Sequence, residues 1–149
     1  MSFDPAAFLD QTTTEANDIV ITPCPEGEYM AIVEKVDCQS WQSRDGTKSG
    51  LKLKIMWNVD DADVKATLGR DKILVPQDIM LDLTEAGGLD MGHGKNVNLG
   101  KVRAALNLNA PGQPFAPTMM TGRVSKISVK HRVYEDNLYA EVKAVLPLS

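Results

Sequence analysis

No stretch of this 149-residue chain is apolar for long enough to cross a bilayer, and its N-terminus lacks the charged-then-apolar pattern of a secretion signal. Both absences point to a cytoplasmic protein with no membrane role. Cysteine is scarce: Cys24 and Cys38 are the only two. They could pair only in an oxidising compartment, so two free thiols, buried or in loops, are expected. The cysteines and the histidines, His93 and His131, have no paired ligand spacing, which argues against zinc. Gly92-His93-Gly94-Lys95 is too short for a phosphate loop and lacks its strand-to-helix context. Asp78, Asp82 and Asp90 are scattered in the way loops and strands routinely carry aspartates, and no nucleophile has an evident base. A non-enzymatic protein with no cofactor and no metal is therefore expected. Aromatic residues make up only 5% of the chain. A surface that binds by ring stacking has few rings to use here and must lean on charge.

What is present is ordinary for a soluble globular domain: 43% hydrophobic and 24% charged residues, enough for one core without staples. The charge is polarised. From Met1 to Asp37, eight acidic residues stand against Lys35 alone, a net −7, so the remainder carries +3 within a chain total of −4. A negative total does not exclude a nucleic-acid ligand, because binding follows the local field at the groove. Residues 1–25 form an arm: Asp4-Pro5 can open one or two helical turns holding Phe3, Phe8 and Leu9, and a threonine-rich polar stretch follows. The arm either docks on a neighbouring subunit, making a homo-oligomer, or is a partly disordered terminus.

Residues 26–149 read as the folded domain. Glu28–Asp37 is a strand with apolar residues on both faces, Tyr29, Ala31 and Val33 against Met30, Ile32 and Val36, as in a long bent strand shared between two halves of a barrel. Cys38–Gly50 reads as a polar, glycine-bearing loop carrying Trp41, Arg44 and Lys48. There Trp41 either stacks on a ligand base between the two cations or folds back on the barrel edge. Leu51–Val59 is the clearest strand: Leu51, Leu53, Ile55, Trp57 and Val59 alternate with Lys52, Lys54, Met56 and Asn58. Val64–Asp71 is a connection, and Lys72–Thr84 a strand bent or broken at Pro76, a residue suited to a sheet edge. A glycine-rich loop leads to a helix over Asn98–Asn107, in which Leu99, Val102 and Leu106 share a face.

Arg123–Leu146 reads as a hairpin. Ile127, Val129 and Val133 face one way, and Lys126, Ser128, Lys130 and Arg132 the other. After a turn at Tyr134–Asn137, Leu138, Ala140, Val142, Ala144 and Leu146 alternate with Tyr139, Glu141, Lys143 and Val145. A basic stripe beside tyrosine is chemistry that suits nucleic acid, although a solvated sheet face also carries lysines. His131 falls on the apolar side, where a hydrogen-bonded packing histidine is expected. The inventory is that of a mainly β fold, a five-stranded oligonucleotide-binding (OB) Greek-key barrel with one short helix before its last two strands. In such a barrel Lys52 and Lys54 lie on the ligand floor, flanked by the Trp41 loop and the Tyr134 turn.

Pro25-Glu26-Gly27-Glu28-Tyr29, Gly50-Leu51-Lys52-Leu53, the run Leu99–Pro114, the strand after Gly122 and Asn137–Lys143 with Pro147 just beyond also resemble a phage protein family. That family, long catalogued as a domain of unknown function, is regarded as single-stranded DNA-binding proteins with an OB barrel. The resemblance covers Pro25–Pro147. It implies a weakly sequence-selective single-stranded DNA binder of phage replication or recombination, working in the cytoplasm of the bacterial host. The chain ends Val145-Leu146-Pro147-Leu148-Ser149, without the acidic tail by which better-known single-strand binders recruit partners. The acidic arm is the candidate contact for phage replication proteins. In this reading Lys52, Lys54, Lys126, Lys130, Arg132 and Lys143 neutralise phosphates, Arg44 and Lys48 close over the strand, and Trp41, Tyr134 and Tyr139 stack on bases. The rival is a virion or assembly protein that uses the barrel as a scaffold, since a fold does not fix a function.

Overall fold

Five antiparallel strands make one open sheet: β1 (Gly27–Gln42), β2 (Ser49–Val59), β3 (Leu74–Met80), β4 (Val124–Tyr134) and β5 (Asn137–Leu146). Their spatial order is β3-β2-β1-β4-β5. The computed structural model describes residues 3–19 and 21–148; Met1, Ser2, Val20 and Ser149, part of the arm and of the domain expected above, lie outside the described residues. Among the described residues three short helices accompany the sheet, α1 (Pro5–Phe8), α2 (Ala62–Leu68) and α3 (Val97–Ala105), with a 3-10 turn at Pro117–Met120. The fold is mainly β, and α3 precedes the last two strands. The sheet does not close on itself: β3 and β5 remain its edges, although they approach one another.

The first strand is longer and differently phased than its sequence suggests. Val33 lies opposite Trp57 while Lys35 lies opposite Met56, so Glu34 is an extra residue, a bulge. Because side chains alternate with period two, one extra residue moves everything after it to the other face. Ala31 and Val33 before the bulge, and Val36 after it, all point to the core, which explains apolar residues at both parities. A second bulge lies in β5, where Val129 pairs with Val142 but Ser128 pairs with Ala144, leaving Lys143 extra. Val145 therefore packs on the core, and not Ala144 and Leu146 as strict alternation predicts.

Trp57 sits fully buried at the centre, among Ile55, Val59, Val33 and Val75 of the sheet and Leu99 and Val102 of α3. Its Nε1 donates to Gln77 Oε1 at 2.9 Å, which satisfies the one polar atom of the ring. The Pro25–Tyr29 motif ties the domain's start: the Tyr29 hydroxyl donates to Pro25 O at 2.9 Å, and Glu26 Oε2 accepts from the His131 amide at 2.9 Å. His131 Nε2 lies 2.7 Å from Cys24 O, in a packing role. Cys24 is buried and Cys38 exposed on β1; both are free thiols.

The segment expected as a plain connection after β2 contains α2. Its signals are local: the Asp61 side chain caps the Val64 amide at 3.0 Å, and Gly69 ends the helix in the left-handed conformation. At Pro76 the strand is not broken. Leu81 N donates to Leu51 O and Val59 N to Ile73 O, so odd-numbered residues of β3 bond to β2 and even-numbered ones face the free edge. The missing N–H of Pro76 thus falls on the free edge, where proline costs no ladder bond. The β4–β5 turn is two residues, Glu135 and Asp136, both with positive φ (51° and 65°), as hairpin twist requires.

Replacing Gln77 by Leu leaves the buried Trp57 N–H unpaired. A loss of about 1–3 kcal/mol in urea unfolding is expected.

Candidate nucleic-acid interface

Residues directly opposite in neighbouring strands share a face, so the register alone sorts the candidate side chains. On the face turned away from the core, Trp41 lies opposite Gly50, Gln39 opposite Lys52, and Asp37 opposite Lys54. Across β2, Lys52 lies opposite Met80 and Lys54 opposite Asp78. Trp41 is therefore a strand residue and not part of a loop: β1 runs to Gln42, and the loop is only Ser43–Lys48. The sequence misled here because polar and glycine residues at a hairpin end resemble loop chemistry. The loop that carries Arg44 and Lys48 is shorter than expected and is internally bonded. Asp45 Oδ1 accepts from Ser43 Oγ (2.6 Å), the Thr47 amide (3.0 Å) and Thr47 Oγ1 (2.8 Å). The Lys48 amide donates to Ser43 Oγ at 3.0 Å. The loop is a self-capped turn that holds Arg44 and Lys48 out in solvent.

The lysines of the expected floor are largely offset. Lys52 Nζ is 3.3 Å from Asp78 Oδ2, and Lys54 stands between Asp37 and Asp78 in register. Asp37 itself is 3.3 Å from Lys35 Nζ. The outer face of β4 and β5 is more positive: Lys126, Lys130, Arg132 and Lys143 stand there against Glu28 and Glu141. Arg132 Nε lies 3.7 Å from Glu141 Oε2. The bulge at Lys143 brings it to Lys130. Contact with that side chain, and its like charge, lower the pKa of Lys143. Tyr139 lies opposite Arg132, and Tyr134 ends β4 on the same face; both rings are exposed.

The two halves meet at a cleft of about 820 Å³ between the free edges of β3 and β5. Of the candidates, Lys54, Arg132 and Tyr139 line it together, with Leu74, Pro76 and Leu138. Lys52 and Gly50 continue from Lys54 along β2, roughly 13 Å over four residues at strand spacing, and Trp41 of β1 lies opposite Gly50. Lys126, Lys130 and Lys143 lie away from the cleft, and Arg44 and Lys48 lie beyond Trp41, so the eleven residues are a band and not one pocket. Met80 and Gly50 belong to this face and were missed: Met80 is outward because Ile79 is core, a parity readable from the strand once its start is known.

No protein-family model and no curated protein matches the chain. The family resemblance thus rests on its motifs alone. Among the described residues, no three His, Cys, Asp or Glu side chains are grouped to hold a metal ion, and no helix is long and apolar enough to cross a membrane.

The three hydrogen bonds to Asp45 hold its carboxyl at a pKa of about 2, the Ser43 hydroxyl contributing most. Its folded value lies below the unfolded one, so the loop order it supports is complete above about pH 4 and is lost as pH falls through about 2. A carboxyl NMR titration should show that midpoint. Asp45→Ala should speed hydrogen exchange at the Thr47 and Lys48 amides at neutral pH.

Proposed function

We propose that the chain is a non-enzymatic, weakly sequence-selective single-stranded DNA-binding protein of a phage replication or recombination system. The observation that carries this is the shared face: an exposed-sided indole, a row of cations and two tyrosines lie on one surface that runs over both edges of the sheet. A flexible single strand suits such a band, because its backbone can follow the charges while unpaired bases stack on rings. Duplex DNA has its bases already stacked and offers the rings nothing.

The strand order supports an OB-type reading of the fold. β3-β2-β1-β4-β5, with a helix between β3 and β4, is the order of that barrel opened at its final β3–β5 seam. The phage assignment and the host-cell cytoplasm rest on the resemblance of Pro25–Pro147. Within the band, the charge pattern shifts the weight of binding. Lys52 and Lys54 sit among Asp37 and Asp78 and contribute orientation; Lys126, Lys130, Arg132 and Lys143 supply the attraction. A phosphate between Lys130 and Lys143 would also relieve the repulsion between two crowded ammonium groups.

Oligothymidine should quench the intrinsic fluorescence at low salt. If about four phosphates are neutralised, log affinity should fall with log salt at a slope of about −3. Lys130→Ala with Lys143→Ala should reduce that slope by about 1.4 for two lost contacts, and Trp41→Ala should cost about 1–3 kcal/mol of binding. Equal affinity for duplex DNA, or no binding at low salt, would sink the proposal.

A second reading, a virion or assembly protein, draws on the arm. Phe3, Phe8 and Leu9 are 84%, 69% and 83% exposed around a helix of one turn, an apolar surface with nothing of its own chain to cover it among the described residues. Stable high-order assembly without DNA, abolished by deleting the first 22 residues, would favour that reading. A monomeric mass by light scattering both with and without the arm would reject it.

A further inference from the structure

The indole of Trp41 is seated on Gly50 of the facing strand. A Cβ built on Gly50 would lie 3.0 Å from Trp41 Nε1 and 3.2 Å from both Cε2 and Cζ2, closer than carbon normally approaches. The backbone of Gly50 is not in the left-handed region, so its conformation does not call for glycine. What calls for glycine is the ring above it. All three contacts fall on one fused, rigid ring system, so a methyl group there would require the ring to shift as a unit by a few tenths of an ångström.

Trp41 Nε1 is covered and has no hydrogen-bond partner among the described residues, in contrast to the buried Trp57, whose Nε1 is bonded to Gln77. The orientation of the Trp41 indole is therefore set by packing and not by a hydrogen bond, and Gly50 is part of that packing. The supporting hairpin is stiff, because Asp45 and Ser43 cap the loop that joins the two strands. Trp41 is partly buried, packed against Gly50 on the face that carries Lys52 and the half-exposed Met80. A flat ring held in place loses little freedom when a second flat ring stacks on it, which lowers the entropic cost of binding.

We infer that Gly50 is the positioning residue of a preformed stacking platform, and that the ligand of this platform is a single unpaired base. The inference rests on the single-stranded DNA reading above and adds to it the site at which a base is captured. Gly50 touches no ligand; it acts through Trp41. The absence of a side chain at Gly50 is thus a binding determinant that no charge pattern or aromatic count reveals. Lys52, next along the same face and held by Asp78, flanks the captured base and directs the strand along β2 towards Lys54 and the cleft.

The test uses the two tryptophans of the chain. Trp57 is fully buried and Trp41 is not, so quenching by acrylamide reports Trp41. Gly50→Ala and the bulkier Gly50→Val should keep the wild-type circular dichroism and increase acrylamide quenching as the ring is displaced. Affinity for oligothymidine should fall about 5–10-fold in Gly50→Ala and at least as far in Trp41→Ala. In the Trp41→Ala background, Gly50→Ala should have no further effect, since there is no ring left to position. Should Gly50→Val not fold, Gly50→Ala alone decides. Wild-type affinity and quenching in Gly50→Ala overturns the inference, as does a loss that adds to that of Trp41→Ala. If the unaltered protein does not bind oligothymidine, the DNA reading falls, and quenching alone decides whether Gly50 seats the ring.

Discussion

The arrangement of this protein depends on one inserted residue. Glu34 bulges from β1 between Val33 and Lys35, and the strand on either side of it obeys opposite parity. Before the bulge, β1 pairs with β4 through Gly27–Ile32; after it, β1 pairs only with β2. The bend and added twist at such a position let one 16-residue strand serve both halves of a curled sheet. The bulged carboxylate is itself tied down. Lys72, just before β3, and Asn58 on β2 both donate to Glu34, and the Lys72 contact is the main reason its pKa is lowered. Three elements are thus registered at the point where the strand changes phase.

The same insertion determines what the outer surface can do. Without the bulge, with Glu34 paired in regular alternation, Trp41 would share the parity of Ala31 and Val33 and point inward. With it, Trp41 points outward beside Lys52 and opposite Gly50. The second bulge, at Lys143, has a parallel effect at the other end of the sheet. It turns Val145 into the core and leaves Lys143 beside Lys130. Two single-residue slips therefore gather an aromatic ring at one end of the band and a pair of crowded cations at the other. Between them the surface is nearly balanced in charge, since Asp37 and Asp78 accompany Lys52 and Lys54. A ligand that follows this band meets a stacking surface, a neutral stretch and then a positive one, an order that no count of lysines conveys.

Much of the fold was legible from the sequence because period-two alternation is a direct consequence of strand geometry. Leu51–Val59 and Ile127–Arg132 alternate without interruption, and both are strands with the expected inward faces. The bulges were not legible, because an extra residue leaves no mark except apolar side chains at both parities, which a barrel strand buried on two sides also shows. The helix α2 was missed although Asp61 and Gly69 bracket it, since seven residues are too few to show a 3.6-residue period. Of the candidate interface, the cations and rings were nameable, but their neighbours were not. That Lys52 faces Asp78, or that Trp41 rests on Gly50, is a property of pairing register, and register depends on contacts between residues far apart in the chain.

The open seam between β3 and β5 has a cause in the sequence as well. The even-numbered residues of β3 turn their backbone groups towards β5, and Pro76 among them has no N–H to give. A ladder closing this edge would leave a carbonyl of β5 without its donor in the middle of the pairing. Such blunting of an edge also discourages pairing with a second copy of the chain. The side chains at the seam are mixed: Leu74, Pro76 and Leu138 make part of its wall apolar, and Lys54 and Arg132 line it together with Asp78 and Glu141. The seam is thus kept open by backbone chemistry at an edge proline, while each of these two cations stands beside a carboxylate of its own neighbourhood, Glu141 for Arg132 and Asp78 for Lys54.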